Sequence, residues 1–462
     1  MAKAFRSKWA LFLASFFGLL SIPCVSFADT TSKVDTGDTA WILVSSALVL
    51  LMTPGLAFFY GGLVRAKNVI TTMLQVIAVI LVVSIQWVVI GYSLAFGPDF
   101  HHIVGGLQWF MLHGVGAQPD SDYAATIPSM VFSIFQMMFA IITPALIVGG
   151  LAERVKFSAF VLFTVLWATL IYDPLAHWVW GAGGWLHQQG VLDFAGGTVV
   201  HISSGVAGLV AAIYLGRRTE LGSGSIKAHN VPFVLLGTAL LWFGWFGFNA
   251  GSALGANALS ADAFITTNTA TAAASIGWMI AERLRTGHVS LVGACAGAVA
   301  GLVAVTPAAG FVTPGGSIIL GVLGGAICYW ASTFMKAKLG YDDALDAFGG
   351  HGIGGTWGAI ATGLFATTSV NSAGANGLFA GNPHQLLVQL IGVAATWAFS
   401  GIGTFILLKV VDLIMGLRVT KEEELMGLDV ALHHESAYPE QLTREELPKI
   451  LGTPPITIPA KD

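Results

Sequence analysis

Long apolar runs, nearly free of charge, follow one another from about residue 38, and basic residues gather at every second joint between them. A helix of ~20 such residues matches the ~30 Å hydrocarbon core of a bilayer. The spacing predicts eleven spans, at 38–60, 70–96, 126–150, 157–180, 195–216, 231–255, 259–282, 289–307, 315–335, 346–366 and 384–412. With 55% hydrophobic and 10% charged residues, the chain fits no soluble globular class and reads as an all-α polytopic membrane protein. Its 57 glycines are interleaved with Ala, Leu and Val, where small residues let helix backbones approach closely. Cys24, Cys295 and Cys328 show no metal or redox spacing, and the last two read as packing residues.

The joints fix an orientation. Arg65 and Lys67 follow span one, Arg154 and Lys156 span three, Arg217, Arg218 and Lys227 span five, Arg283 and Arg285 span seven, and Lys336 and Lys338 span nine. By the positive-inside bias these exits are cytoplasmic, which puts the mature N-terminus outside and the C-terminus inside a plasma (inner) membrane. The start agrees: Lys3, Arg6 and Lys8, an apolar stretch over 9–20, and Ser26-Phe27-Ala28 predict a signal peptide over 1–28 cleaved after Ala28. An uncleaved first helix is the alternative. The membrane domain is then 29–418 and a cytoplasmic tail 419–462.

Two histidines stand inside apolar spans, in Asp193-Phe-Ala-Gly-Gly…His201 and Asp346-Ala-Phe-Gly-Gly-His351. The motifs are five spans apart, so their helices run in opposite directions. That predicts a 5+5 inverted repeat plus a final helix, with a path between the halves near the midplane. Each aspartate suits a helix start, where it caps orphan N–H groups. His201 lies about 12 Å along the helix from Asp193 at ~1.5 Å per residue, so His201 and His351 can meet and share a hydrogen bond while lining an apolar path. Near the outer face Phe135, Phe139, Trp180, Trp245, Phe248, Asn249 and Ser252 gather. Aromatic faces attract a cation and the serine supplies an acceptor, although aromatics at this depth also form interfacial belts.

The segments Pro54-Gly-Leu-Ala-Phe-Phe-Tyr-Gly-Gly-Leu-Val-Arg65, Ala152-Glu-Arg154, Asp193 to His201, Gly244-Trp-Phe-Gly-Phe-Asn-Ala-Gly-Ser252, Thr306-Pro-Ala and Asp343-Ala-Leu-Asp-Ala-Phe-Gly-Gly-His351-Gly resemble the Amt branch of the Amt/Rh ammonium transporter family, over about 38–438. The resemblance implies an outer recruitment site at Phe139, Trp180 and Ser252, a phenyl gate at Phe139 and Phe248, and a pore lined by His201, His351 and Trp245. It implies Asp193 as structural support, beside the capping read for Asp346, and a homotrimer with one pore per subunit. The tail Gly427 to Tyr438 is similar to the motif associated with closure by PII signal proteins, with His434 where bacterial relatives often carry Gly.

The function so implied is ammonium transport: ammonium, or methylammonium as its analogue, is recruited outside and deprotonated, and ammonia is conducted, with or without a separately relayed proton. An unpaired ion in low dielectric costs far more than an aromatic cage returns, and potassium has no proton to shed. No enzyme activity, cofactor, resident metal or nucleic-acid partner is expected. Two rival readings are an ammonium sensor coupled to a PII-type partner and a membrane metalloenzyme. The second lacks a third ligand beside the two histidines, where catalytic zinc takes three.

Overall fold

The computed structural model describes residues 33–221 and 228–438. The signal peptide over 1–28 with its cleavage after Ala28, Cys24, Lys227 and the extension 439–462 lie outside the described residues. Among the described residues, eleven helical segments of 15 or more residues follow in order: α1 (Thr36–Leu63), α2 (Ala66–Phe96), α3 (Ser129–Leu151), α4 (157–180), α5 (Gly197–Leu215), α6 (Val231–Gly251), α7 (Ala258–Thr286), α8 (Leu291–Val305), α9 (Pro314–Leu339), α10 (348–365) and α11 (Pro383–Met415). Two short helices, α12 (Lys421–Met426) and α13 (Leu428–His433), close the described chain. Local sequence sets many of the starts. Asn230, Asn257, Ser290 and Thr313 each accept a backbone N–H from three residues on, capping α6, α7, α8 and α9. Span six is shorter than predicted: α6 ends at Gly251, and Ser252 is its C-cap.

Among the described residues, eight helices are long and apolar enough to cross a membrane. The other three depart for physical reasons. Helix α7 is rich in Ala and Thr, and its Thr266, Thr267 and Thr271 hydroxyls turn back onto carbonyls of its own helix. Helix α8 has 15 residues, about 22 Å at ~1.5 Å per residue, and gives way to a buried turn over 306–312. Helix α10 begins after the irregular segment 340–347. Irregular backbone is tolerated at membrane depth only where protein or a cavity surrounds it, so these ends mark the interior of the bundle. A small departure from the all-α expectation is a hairpin in the loop after α2, Asp99–Phe100 with Val104–Gly105.

Helices α5 and α10 cross at the centre with backbones in contact. A Cβ on Gly205 would lie 2.0 Å from the Gly352 nitrogen, so no larger residue fits there. At one end of the bundle the loops after α1, α3 and α5 converge on buried ion pairs. Glu153 joins Arg65 and Arg218 at 2.9 Å each, and Asp342 joins Arg218 at 2.7 Å and Arg154 at 3.1 Å. The arginines that marked topology in the sequence therefore also lock these loops together. The tail is tied to the same end. Asp429 accepts from the Ile70 and Thr71 N–H groups at 3.0 and 2.7 Å, and Glu424 pairs with Arg418 at 2.8 Å.

Candidate functional site

Both central histidines stand in π-helical turns, Gly197–Ile202 for His201 and Phe348–Gly352 for His351. Such turns are rare and recur at functional sites. The first turn is set up by Asp193. Its Oδ1 accepts the N–H groups of Gly196 and Gly197 at 2.7 and 2.6 Å, and its Oδ2 accepts those of Thr198 and Val199 at 2.8 and 3.2 Å together with the Thr198 hydroxyl. The carboxylate is spent on its own helix start. Gly196, at φ +118°, supplies the left-handed step into the turn.

The second turn corrects the reading of Asp346. That residue sits at φ +57° and its carboxylate meets Lys336 at 2.7 Å, half-exposed. The cap is Asp343, which accepts the Phe348 N–H at 2.7 Å. Asp343 precedes His351 by eight residues, as Asp193 precedes His201, and that spacing was a signal available in the sequence. The "Asp then Gly-Gly" motif favoured the wrong aspartate because it matched letters and ignored the offset to the histidine.

The two imidazoles meet with Nδ1 to Nδ1 at 3.3 Å and ring centroids 5.3 Å apart, both buried. His201 stacks on Trp245 at 5.3 Å, and Phe248 follows at 6.0 Å. Trp245 is fixed by its indole N–H to Thr306 Oγ1 at 2.9 Å. Asn249 in turn hydrogen-bonds Thr267 at 2.9 Å. A cavity lined by His201, His351, Trp245, Phe248 and the apolar side chains of Leu56, Ile142, Leu146 and Val299 runs along the pair. It is narrow, about 10 Å³, the order of volume one water needs. The aliphatic walls had no signal in the sequence, since nothing distinguishes a lining Leu or Val from a packed one.

Phe139 and Phe248 lie face to face at 4.2 Å, tilted by 32°. Trp180 stands edge-on to Phe139 at 6.0 Å, half-buried, with its indole N–H on the Asp193 carbonyl at 2.9 Å. Phe135 packs on the other side of Phe139 at 5.0 Å. Ser252 is joined to this group through its own helix, its hydroxyl donating to the Phe248 carbonyl at 2.8 Å. The rings thus form a continuous series from Trp180 through Phe139 and Phe248 to the imidazoles. Among the described residues, no group of three or more His, Cys, Asp and Glu side chains converges as metal ligands would. In the tail, His434 adopts φ +56° as the C-cap of α13, a conformation that favours glycine.

The profile described as Ammonium Transporter Family matches residues 40–438. An ammonium transporter of Bacillus subtilis (strain 168) is 57% identical over 406 residues, 88% of this chain and 99% of the relative. The crystal structure of Candida albicans Mep2 aligns with a TM-score of 0.82 at 37% identity, over 92% of this chain and 95% of that one. A structure named Sensor Amt Protein aligns at 0.80 with 31% identity, over 86% and 98%. Matched along most of its length in both sequence and fold, the chain belongs to the ammonium transporter family.

Proposed function

We propose that this chain recruits ammonium at Phe139, Trp180 and Ser252, strips its proton, and conducts ammonia past the Phe139–Phe248 gate and along His201 and His351. The observation that carries the reading is the imidazole pair in a narrow apolar cavity. A cage of aromatic faces returns ~0.5–2 kcal/mol to a cation, whereas an unpaired ion in the cavity beyond would cost many times that. Neutral ammonia avoids the cost. The pair is equipped for it: if one Nδ1–H donates to the other Nδ1, the acceptor ring must carry its proton on Nε2. One ring then offers the lumen a bare Nε2 and the other an Nε2–H, so ammonia can both donate and accept. His201 Nε2, which has no partner among the described residues, faces this role. Whether the proton crosses separately decides electrogenicity.

The same reading includes eleven spans in a 5+5 inverted repeat plus a final helix, the N-terminus outside and the C-terminus inside a plasma membrane, and a homotrimer. Its support is the matched offset of Asp193 and Asp343 from their histidines and the gathering of Arg65, Arg154 and Arg218 at one end. The tail from Gly427 to Tyr438 is proposed as a contact for a PII-type partner. It packs against the α1–α2 joint, with the Leu428 N–H on Asn68 at 2.8 Å. The likeness to Sensor Amt Protein favours a second reading, in which binding signals without flux.

Proteoliposomes under an ammonium gradient, with potassium as control, separate the two. The wild type should carry ammonium and exclude potassium, and His201→Ala or His351→Ala should change rate or selectivity. No flux in the wild type favours the sensor, and unchanged behaviour of both variants removes the pair from the pathway.

A further inference from the structure

Asp173 is an ionisable residue deep in an apolar span, and the proposed conduction path does not use it. It lies in α4, fully buried, about 24 Å from the start of the helix and about 10 Å before Trp180 at ~1.5 Å per residue. An acid at membrane depth is costly and marks a functional site by default, together with the group that faces it. That group is Gln86 of α2. Its Nε2 donates to Asp173 Oδ2 at 2.6 Å and to the Thr169 hydroxyl at 3.2 Å. Because Thr169 gives its own proton to the Val165 carbonyl at 2.8 Å, its oxygen can only accept, which fixes the amide with its nitrogen toward the acid.

Both helices are shaped around this contact. A π-helical turn follows Gln86 (Trp87–Gly91), another precedes Asp173 (Ala168–Tyr172), and the two turns touch. A Cβ on Gly91 would lie 2.9 Å from both amide atoms of Gln86, so the glycine leaves the amide its place. Two acceptors are nevertheless left over: Asp173 Oδ1 and Gln86 Oε1 have no partner among the described residues. No charge from a packed helix acts on the carboxyl. Its titratable neighbours on α4 are Tyr172, which also feels Asp193 at the start of α5, and His177, held by the Ala95 carbonyl and Asp99 at 3.0 and 2.9 Å. From α2, α3 and α11 come the uncharged Gln86, Thr143 and Thr404.

An ionised carboxylate so placed has no counter-ion, and a buried acid without one neutralises instead. One proton answers both faults, since a carboxylic acid has an O–H to give and Oε1 is the orphan acceptor on the amide already bound. We propose that Asp173 and Gln86 form a proton-binding site, in which Asp173 carries the proton on Oδ1 and donates it to Gln86 Oε1, and that its release to water as pH rises loosens the α2–α4 contact and displaces Trp180. Asp173 and Trp180 are seven residues apart on an unbroken stretch of helix, two turns along one face, so the outer half of α4 carries a shift at the acid to the ring. The effect on uptake rests on the recruitment cage proposed above; the proton on Asp173 does not.

Infrared spectroscopy of the full-length protein in liposomes reads the proton directly, through the carboxylic C=O band and its shift on deuteration. At neutral pH the wild type should show a protonated-carboxyl band that Asp173→Asn lacks, and the band should vanish as pH is raised. Asp173→Asn keeps both hydrogen bonds to Gln86, with Nδ2–H in place of the O–H, so it should melt with the wild type. Gln86→Leu, which leaves the acid and removes its partner, should shift the band, and decides alone if Asp173→Asn misfolds. In proteoliposomes the half-saturating methylammonium concentration of the wild type, relative to that of Asp173→Asn, should rise at least about twofold from neutral to alkaline external pH, the low end for losing one aromatic face. Identical spectra of wild type and Asp173→Asn at neutral pH, or a band that Gln86→Leu leaves in place, overturn the site. A constant uptake ratio beside a lost band overturns its link to Trp180. No uptake by either protein counts against transport, and the spectra still decide the proton.

Discussion

Replacing Asp193 by Asn tests whether one carboxylate organises the His201 turn. The carboxylate accepts five hydrogen bonds, two at Oδ1 and three at Oδ2, and the residue is buried. An amide has one oxygen and one NH₂, so whichever way it turns, its NH₂ confronts donors. Turned for the best outcome, with oxygen on the Oδ2 side, it keeps three bonds and loses two. Hydrogen bonds to a charged group contribute ~1.5–3 kcal/mol each, which gives a loss of about 3–6 kcal/mol, with relaxation of the turn favouring the lower end. Because Gly196 and Gly197 are released in the turn that leads into His201, the ring pair should also lose register. Thermal unfolding in detergent and methylammonium uptake in proteoliposomes should show a clearly lowered melting temperature and uptake near background. An Asp193→Asn protein that melts with the wild type and transports normally would refute the claim that this carboxylate builds the turn.

Trp180→Ala removes one wall of the outer cage, so at ~0.5–2 kcal/mol for a cation on an aromatic face the half-saturating methylammonium concentration should rise roughly 2- to 30-fold with a smaller change in maximal rate; an unshifted curve excludes the cage. Asp343→Ala should destabilise the protein and impair uptake, whereas Asp346→Ala, which breaks a part-exposed pair with Lys336, should cost at most ~1 kcal/mol and spare uptake. Reversed melting temperatures for these two would return the cap to Asp346. Asp342 titrates low: burial pushes its carboxyl up, but the Arg218 hydrogen bonds and the Arg218 and Arg154 charges outweigh that and hold it at about 2, below its ordinary 3.8. Its folded pKa being depressed, its contribution is complete above about pH 4 and is lost as pH falls toward 2. Melting temperature followed down through that window should therefore fall more steeply in the wild type than in Asp342→Asn, and parallel curves would show that the pair contributes nothing.

The class of fold is legible in the chain's apolar runs, because a bilayer admits only a segment of fixed length with its backbone internally bonded. The sequence also located the two histidines, since an ionisable residue in an apolar span stands out against its neighbours. Span topology gathered Phe139, Trp180, Phe248 and Trp245 near the outer face and the family resemblance implied their roles, but their mutual stacking is a matter of tertiary structure. Which aspartate caps the second turn is fixed by the packed backbone. Asp343 and Asp346 are three residues apart with similar surroundings in sequence, and the choice is made by backbone direction: the positive φ at Asp346 turns its carboxylate out toward Lys336 and leaves Asp343 aimed at the Phe348 N–H. The same holds for the arginines. Their positions along the chain told which joints share a side, but the pairing of Arg65, Arg154 and Arg218 through Glu153 and Asp342 joins residues scores of positions apart. Such contacts exist only once the helices have packed, because a buried charge is stable only beside the partner that packing delivers.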